Sequence, residues 1–259
     1  MTETITSAQN PKIKTLLSLQ QKSSLRRESG LFVVEGLREL GHCVEGGYSV
    51  DSLFVCGQLL DGRPLPEARH RFEVPAELYS KIAYRGSTEG VIAEVRSREH
   101  SLENLSLGER PLIAVMDGVE KPGNLGAVLR SADAAGADAV IICDPLTDLY
   151  NPNLIRASIG AVFTVPVAVC SSGEAITFLK DRGIKRLTAQ LQESSVYCDC
   201  DMGGATAIVF GTEATGLSDG WRQAADAHIM IPMLGRLDSL NVSVSAAILL
   251  YEAIRQRNG

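Results

Sequence analysis

The chain has 259 residues, 45% of them apolar and 22% charged, and a formal net charge of -6. That is the composition of an ordinary water-soluble globular protein with room for one large domain or two ordinary ones, and it excludes disordered, collagen-like and coiled-coil chains. No apolar run approaches the roughly 20 residues of a membrane-spanning helix. The opening MTETITSAQNPK lacks the zones of a secretory signal, so a cytoplasmic protein with no membrane partner is expected.

Six cysteines, Cys43, Cys56, Cys143, Cys170, Cys198 and Cys200, are spread through a chain too apolar to need staples, and free, mostly buried thiols are expected. Cys198 and Cys200 have neither a second pair nor histidines beside them, so no metal site is expected. The charge is uneven. Residues 1–100 carry thirteen basic and thirteen acidic groups, so the whole negative excess lies in the remainder. Between residues 10 and 38, Lys12, Lys14, Lys22, Arg26, Arg27 and Arg38 outweigh Glu28 and Glu35. Such a segment suits phosphate neutralisation and serves equally as a solvated face.

In chain order, Asn10-Pro11 signals a helix start, and Ile13, Leu16 and Leu17 continue with helical spacing to about Gln21. LFVVEG from residue 31 reads as a buried strand. Leu37, Leu40 and Val44 lie on a helix ended by Gly46-Gly47, and SLFVC at 52–56 is a second strand. A short helix from Pro75 to Tyr84 and a strand at 90–96 complete a small α/β unit, residues 1–100. Residues 101–110 are polar and aperiodic and read as a linker. Beyond them PLIAVMD, AVIIC, AVFTVPVAV, KRLTAQ, ATAIVFG and AHIMIPM are short apolar runs alternating with helical or turn-rich segments such as 124–135, 174–182 and 216–224. Continuous apolar strands between helices predict a parallel sheet covered on both faces, over residues 111–259. A last helix, 240–257, is apolar enough to pack on the sheet or a partner.

Ligands of open parallel sheets bind at the carboxyl ends of strands, which directs attention to three segments. After Met116 a turn at Pro122-Gly123 leads to a helix from about Asn124, whose backbone N–H groups attract anions, with Arg130 six residues further. The glycines there match neither the dinucleotide fingerprint nor the P-loop spacing. After the strand ending at Phe210, Gly211 and Gly216 flank Glu213, as where backbone approaches a ligand. After Ile231-Pro232, Ser239, Asn241 and Ser243 place small polar groups at the mouth of the last helix, where capping and function are both open.

In this order the segments resemble the SpoU (TrmH-like) class of the SPOUT superfamily, RNA 2'-O-ribose methyltransferases that use S-adenosylmethionine. The resemblance rests on Asn124, Gly126 and Arg130; on Gly211, Glu213 and Gly216; and on Ile231-Pro232-Met233, Gly235 and Ser239 to Ser243. Ser245 stands where the family pattern has alanine. NPKIK with GLFVVEG is similar to the small ribosomal-protein-like domain that often precedes this catalytic domain. The resemblance implies a Rossmann-like domain with a trefoil knot, a homodimer, and RNA as substrate. It places cofactor contacts at Ala189, Gln190, Gly211, Thr212, Gly216, Ile231 and Leu240, and catalytic roles on Asn124, Arg130, Glu213, Ser239 and Asn241. Ribosomal RNA (23S) is favoured by the appended domain; transfer RNA, or a catalytically silent RNA-binding paralogue, is the alternative.

Overall fold

Asn10 opens the first helix as its sequence predicts, with Oδ1 accepting from Lys12 N at 2.9 Å and Pro11 at the first helical position. The computed structural model describes residues 3–84, 89–212 and 215–259. Two units form: residues 3–99 joined by Asp148–Thr164, and His100–Thr147 joined by Val165–Gly259.

The first unit runs β1 (Glu3–Thr4), α1 (Pro11–Gln21), α2 (Ser23–Ser29), β2 (Leu31–Glu35), α3 (Leu37–Glu45), β3 (Val50–Val55), α4 (Gly57–Leu60), β4 (His70–Glu73), α5 (Ala76–Ile82) and β5 (Val91–Arg96). Its strands pair in the order β1-β4-β3-β5-β2, with β5 antiparallel to both neighbours. α1 and α5 lay Ile13, Leu16, Leu19, Leu78, Tyr79 and Ile82 on Val33, Phe54, Phe72 and Ile92. Two of these elements escape the sequence pattern. α2 reads as a polar stretch because only Arg26 of its seven residues is buried, and β4 shows no alternation because only Phe72 of its four is.

In the second unit β6 (Leu112–Asp117), α6 (Pro122–Ala134) and β7 (Ala139–Cys143) come first. The chain then contributes α7 (Pro152–Ser158) and α8 (Ala161–Thr164) to the first unit, where Phe32 stacks on Tyr150 with ring centroids 4.1 Å apart and on Phe163 at 5.9 Å. It returns as β8 (Val167–Cys170), α9 (Ser172–Asp181), β9 (Lys185–Ala189), β10 (Ser195–Val196), β11 (Thr206–Phe210), α10 (Asp219–Ala224), β12 (Ala227–Met230) and α11 (Val242–Asn258). The apolar run AVFTVPVAV is therefore not one strand. Its first residues are the helix α8, and the strand begins only after Pro166.

The described strands of this unit form a parallel sheet in the order β10-β12-β9-β11-β6-β7-β8. One face is covered by α9 and α10 through Ala175, Phe178, Leu179 and Trp221; α6 and α11 pack on each other and on the opposite face. The polar stretch 101–110 is not merely a spacer, since a 3-10 turn at Leu102–Asn104 buries Leu102 in this core, with Leu105 and Leu107 against it. Among the described residues the cysteines are free, with Cys43, Cys56 and Cys143 buried and Cys198 exposed. No described helix is long and apolar enough to cross a membrane.

Candidate functional site

β11 lies between β6 and β9 with Phe210 level with Met116 and Ala189, and Ile229 of β12 is level with Ala189. The chain segments that follow these strands therefore leave the sheet at one edge, and Gln190 N ties two of them by donating to Ile229 O at 3.0 Å.

After β11 the backbone doubles back at once. Thr212 and Gly216 exchange both backbone hydrogen bonds at 3.0 Å, and Thr212 Oγ1 accepts from Thr215 N at 3.0 Å. A Cβ on Gly211 would stand 2.3 Å from the Gly216 carbonyl carbon, and Gly216 itself has φ +71°. The spacing Gly211–Gly216 is thus a steric requirement of the turn. Asp117, buried at the end of β6, fixes the far side of this loop: it accepts from Ser218 N at 3.0 Å and from Ser172 Oγ at 2.8 Å.

These segments and the start of α11 enclose a cleft of about 360 Å³. Ala189, Gln190, Gly211, Thr212, Gly216, Ile231, Ser239 and Leu240, which sequence reasoning associated with cofactor or catalysis, all line it, beside Phe210, Leu217, Met233 and Leu249. Its size and mainly apolar wall with a few polar groups suit a small organic ligand. Gln190 supplies a further sign of fit. Its amide donates to Gln192 O at 2.9 Å while its side-chain oxygen is buried without a hydrogen-bond partner. An acceptor withdrawn from water in this wall suits a ligand donor such as an amino or hydroxyl group.

Asn241 caps α11, accepting from Ser243 N at 2.9 Å, and its amide donates to Asn124 Oδ1 at 3.1 Å. Two asparagines 117 positions apart are joined because α6 and α11 pack side by side. Capping and site geometry are thus one arrangement. α6 starts two residues earlier than its sequence suggested, with Pro122 at the first helical position, and Asn124 N donates to Lys121 O at 3.1 Å. That N–H is satisfied internally.

Arg130 stands nearly two turns further along α6, exposed and without an ion pair to any described residue. Ser239 is exposed, its hydroxyl 3.5 Å from Asp238 Oδ1, and Glu213 lies outside the described residues. In the first unit, Lys14, Lys22 and Arg27 are exposed. Lys12 pairs with Glu3 at 2.6 Å and lies 4.1 Å over the Phe72 ring; Arg38 pairs with Glu39 at 2.8 Å. Arg26 does not belong to a basic surface. It is only 5% exposed, with Nε on the Asp148 carboxylate and Nη1 on Leu19 O, because a guanidinium buried there needs both partners.

Residues 111–251 match the SpoU rRNA methylase family, and residues 10–93 match an MRM3-like substrate-binding domain. The chain belongs to the SpoU rRNA methylase family. It is 30% identical to a 23S rRNA (uridine(2479)-2'-O)-methyltransferase from Streptomyces viridochromogenes, over 96% of this chain and 91% of the relative. It is 28% identical to 23S rRNA (guanosine(2553)-2'-O)-methyltransferase RlmP from Bacillus subtilis, over 95% and 97% of the two chains. The AdoMet-bound rRNA methyltransferase from Sinorhizobium meliloti superposes with a TM-score of 0.88 at 28% identity, covering 98% of each chain. Every residue of the cleft lies within the SpoU segment. Asp117 and Arg222, which hold or line the turn around Gly216, were missed by sequence reasoning. A strand-terminal aspartate and a lone arginine on a short helix have no spacing of their own to betray them.

Proposed function

We propose that this SpoU methylase transfers the methyl group of S-adenosylmethionine to a ribose 2'-hydroxyl of ribosomal RNA. The observation that carries the reading is the cleft: seven positions drawn from three separate segments converge on one cavity, beside an asparagine pair that joins the first and third motifs. The relatives matched over nearly the whole chain act on 23S rRNA but differ in the modified base, uridine in one and guanosine in the other, so rRNA is proposed as the substrate and the base is not.

Ala189, Gln190, Gly211, Thr212, Gly216, Ile231 and Leu240 would hold the cofactor, whose sulfonium supplies an activated methyl group. A ribose hydroxyl is a weak nucleophile at neutral pH and must be oriented and relieved of its proton. Arg130, always charged and a poor base, would hold the target phosphate and hydroxyl and favour the alkoxide. The Asn124–Asn241 pair would orient the ribose or Arg130, Glu213 would steady the loop or Arg130, and Ser239 would position nucleotide or backbone. The exposed Lys14, Lys22 and Arg27, with Lys12 and Arg38, supply phosphate contacts in the substrate-binding unit. The chain around the last two motifs is read as threaded through a trefoil knot in the C-terminal half, and the protein as cytoplasmic.

The deciding experiment is transfer of labelled methyl from S-adenosylmethionine to undermodified ribosomal and transfer RNA. Label in ribosomal RNA that survives alkali as a resistant dinucleotide is expected; Arg130→Ala lowers the rate at least about a hundredfold while cofactor binding persists. Substantial activity in that variant overturns the role of Arg130, and label confined to transfer RNA overturns the substrate.

A homodimer is part of the same reading. Leu234 is 98% and Leu237 75% exposed, and Val244 and Tyr251 stand out on α11. Sedimentation velocity is expected to give twice the chain mass; a monomer at micromolar concentration refutes the dimer.

A further inference from the structure

Two ionisable side chains line the cleft among its described residues, Arg222 and Asp238; the rest of the wall is apolar, glycine or neutral polar. Arg222 is held in place from two sides. Its neighbour Trp221 is fully buried and anchors α10 in the sheet core, and its own Nε donates to Leu217 O at 3.2 Å. The guanidinium lies against the Gly216 turn, with Nη2 3.6 Å from where a Cβ on Gly216 would be. Glycine there leaves the terminal nitrogens open. Arg222 is exposed and makes no ion pair with a described residue, so most of its five N–H donors have no acceptor among the described residues. An arginine restrained by one backbone bond, with no described carboxylate within ion-pair distance, is poised for an anion from outside the chain.

S-adenosylmethionine has one anionic group, the carboxylate of its amino-acid tail, and two cationic ones, the ammonium and the sulfonium. A cleft with one arginine and one aspartate therefore matches the ligand in kind. We infer that Arg222 binds the carboxylate of the cofactor's amino-acid tail and so fixes that end of the molecule at the Gly216 turn. Asp238 supplies the opposite charge for the cationic part of the ligand. This rests on the reading of the cleft as the S-adenosylmethionine site. It extends that reading by assigning to a residue outside the three motifs the choice between cofactors with and without the carboxylate.

Arg222 also lines a second cavity, of about 600 Å³, on the far side of the Thr212–Gly216 turn, beside Asp117, Asp144 and Asp219. Those carboxylates disfavour a phosphate there, which is why the anion is assigned to the cleft and not to RNA.

The test is calorimetric binding of S-adenosylmethionine and of decarboxylated S-adenosylmethionine to the full chain and to Arg222→Ala and Arg222→Lys. The exposed position makes both variants foldable, which thermal melting verifies. Arg222→Ala is expected to weaken S-adenosylmethionine about ten- to a hundredfold and to leave the decarboxylated ligand unchanged, with Arg222→Lys recovering part of the loss. Equal weakening of both ligands means that Arg222 only braces the Gly216 turn, and overturns the inference. Unchanged cofactor affinity with weakened RNA binding assigns Arg222 to a phosphate, and also overturns it. If the unaltered chain binds neither ligand, the cofactor reading of the cleft itself falls, a failure distinct from the other two.

Discussion

Glu94 is a carboxyl whose surroundings oppose its ionisation. It sits in β5 opposite Ser52 and Val33, 7% exposed, with one carboxylate oxygen lacking any hydrogen-bond partner. Burial pushes its pKa up to about 7, the Asp51 charge adds to the rise, and a hydrogen bond from Ser52 opposes it. The folded chain therefore holds a proton that the unfolded chain releases near pH 4.5. Stability contributed by this group is lost as pH rises from about 4.5 to 7 and stays low above that. Glu94→Gln is expected to stabilise the protein by about 2 kcal/mol at pH 8 and to change little at pH 4.5, as measured by urea unfolding at the two pH values. An equal effect at both would show that the carboxyl is not the source. Arg26 is the converse case, a charge whose burial is answered by a carboxylate and a carbonyl. From sequence alone Arg26 and Arg27 are indistinguishable, since only packing decides which of two adjacent side chains on a helix turns inward.

At the scale of elements, α11 joins folding to function through one side chain. Asn241 accepts from Ser243 N and donates to Asn124, so it caps the helix and fixes the partner motif with different ends of its amide. The two uses can be separated. Asn241→Asp keeps the capping oxygen and loses the donor; the expected outcome is a melting temperature within a degree or two of the parent, with methyl transfer reduced at least about tenfold. Asn241→Ala should lose both, at about 1 kcal/mol of stability. Equal activity in parent and Asn241→Asp would leave the asparagine a cap and nothing more. The elements legible in the sequence were those with a one-sided apolar pattern or a run of buried residues, α1, β2, α3 and β6 among them. AVFTVPVAV was misread because helix and strand segments that are buried all round carry the same apolar signal, and only the break at Pro166 separates them.

For the molecule as a whole, the division into units does not follow a single cut in the chain. Asp148–Thr164 lies within the SpoU segment, yet it folds with the first unit, where Tyr150 and Phe163 pack on Phe32. Deleting residues 1–99 alone should strand these aromatics and give an aggregating protein. Deleting 1–99 and replacing 148–164 by a short Gly/Ser linker should leave a soluble second unit that still binds S-adenosylmethionine and has lost most of its RNA affinity. Size-exclusion chromatography and binding titrations check this; a well-behaved product of the simple deletion would show the excursion to be dispensable. By itself, the sequence determined the alternation of apolar strands and helices, the two glycines of the Gly211–Gly216 turn and the ordered motifs that carry the family resemblance. These are local, set by side-chain polarity and backbone freedom over a few residues. The tertiary structure alone decided that residues from 189 to 249 share one cleft, that Asn124 meets Asn241, that Arg26 is buried and that Arg222 stands at the Gly216 turn. Those depend on strand order and helix packing, which bring distant segments together and leave no periodic trace in the chain.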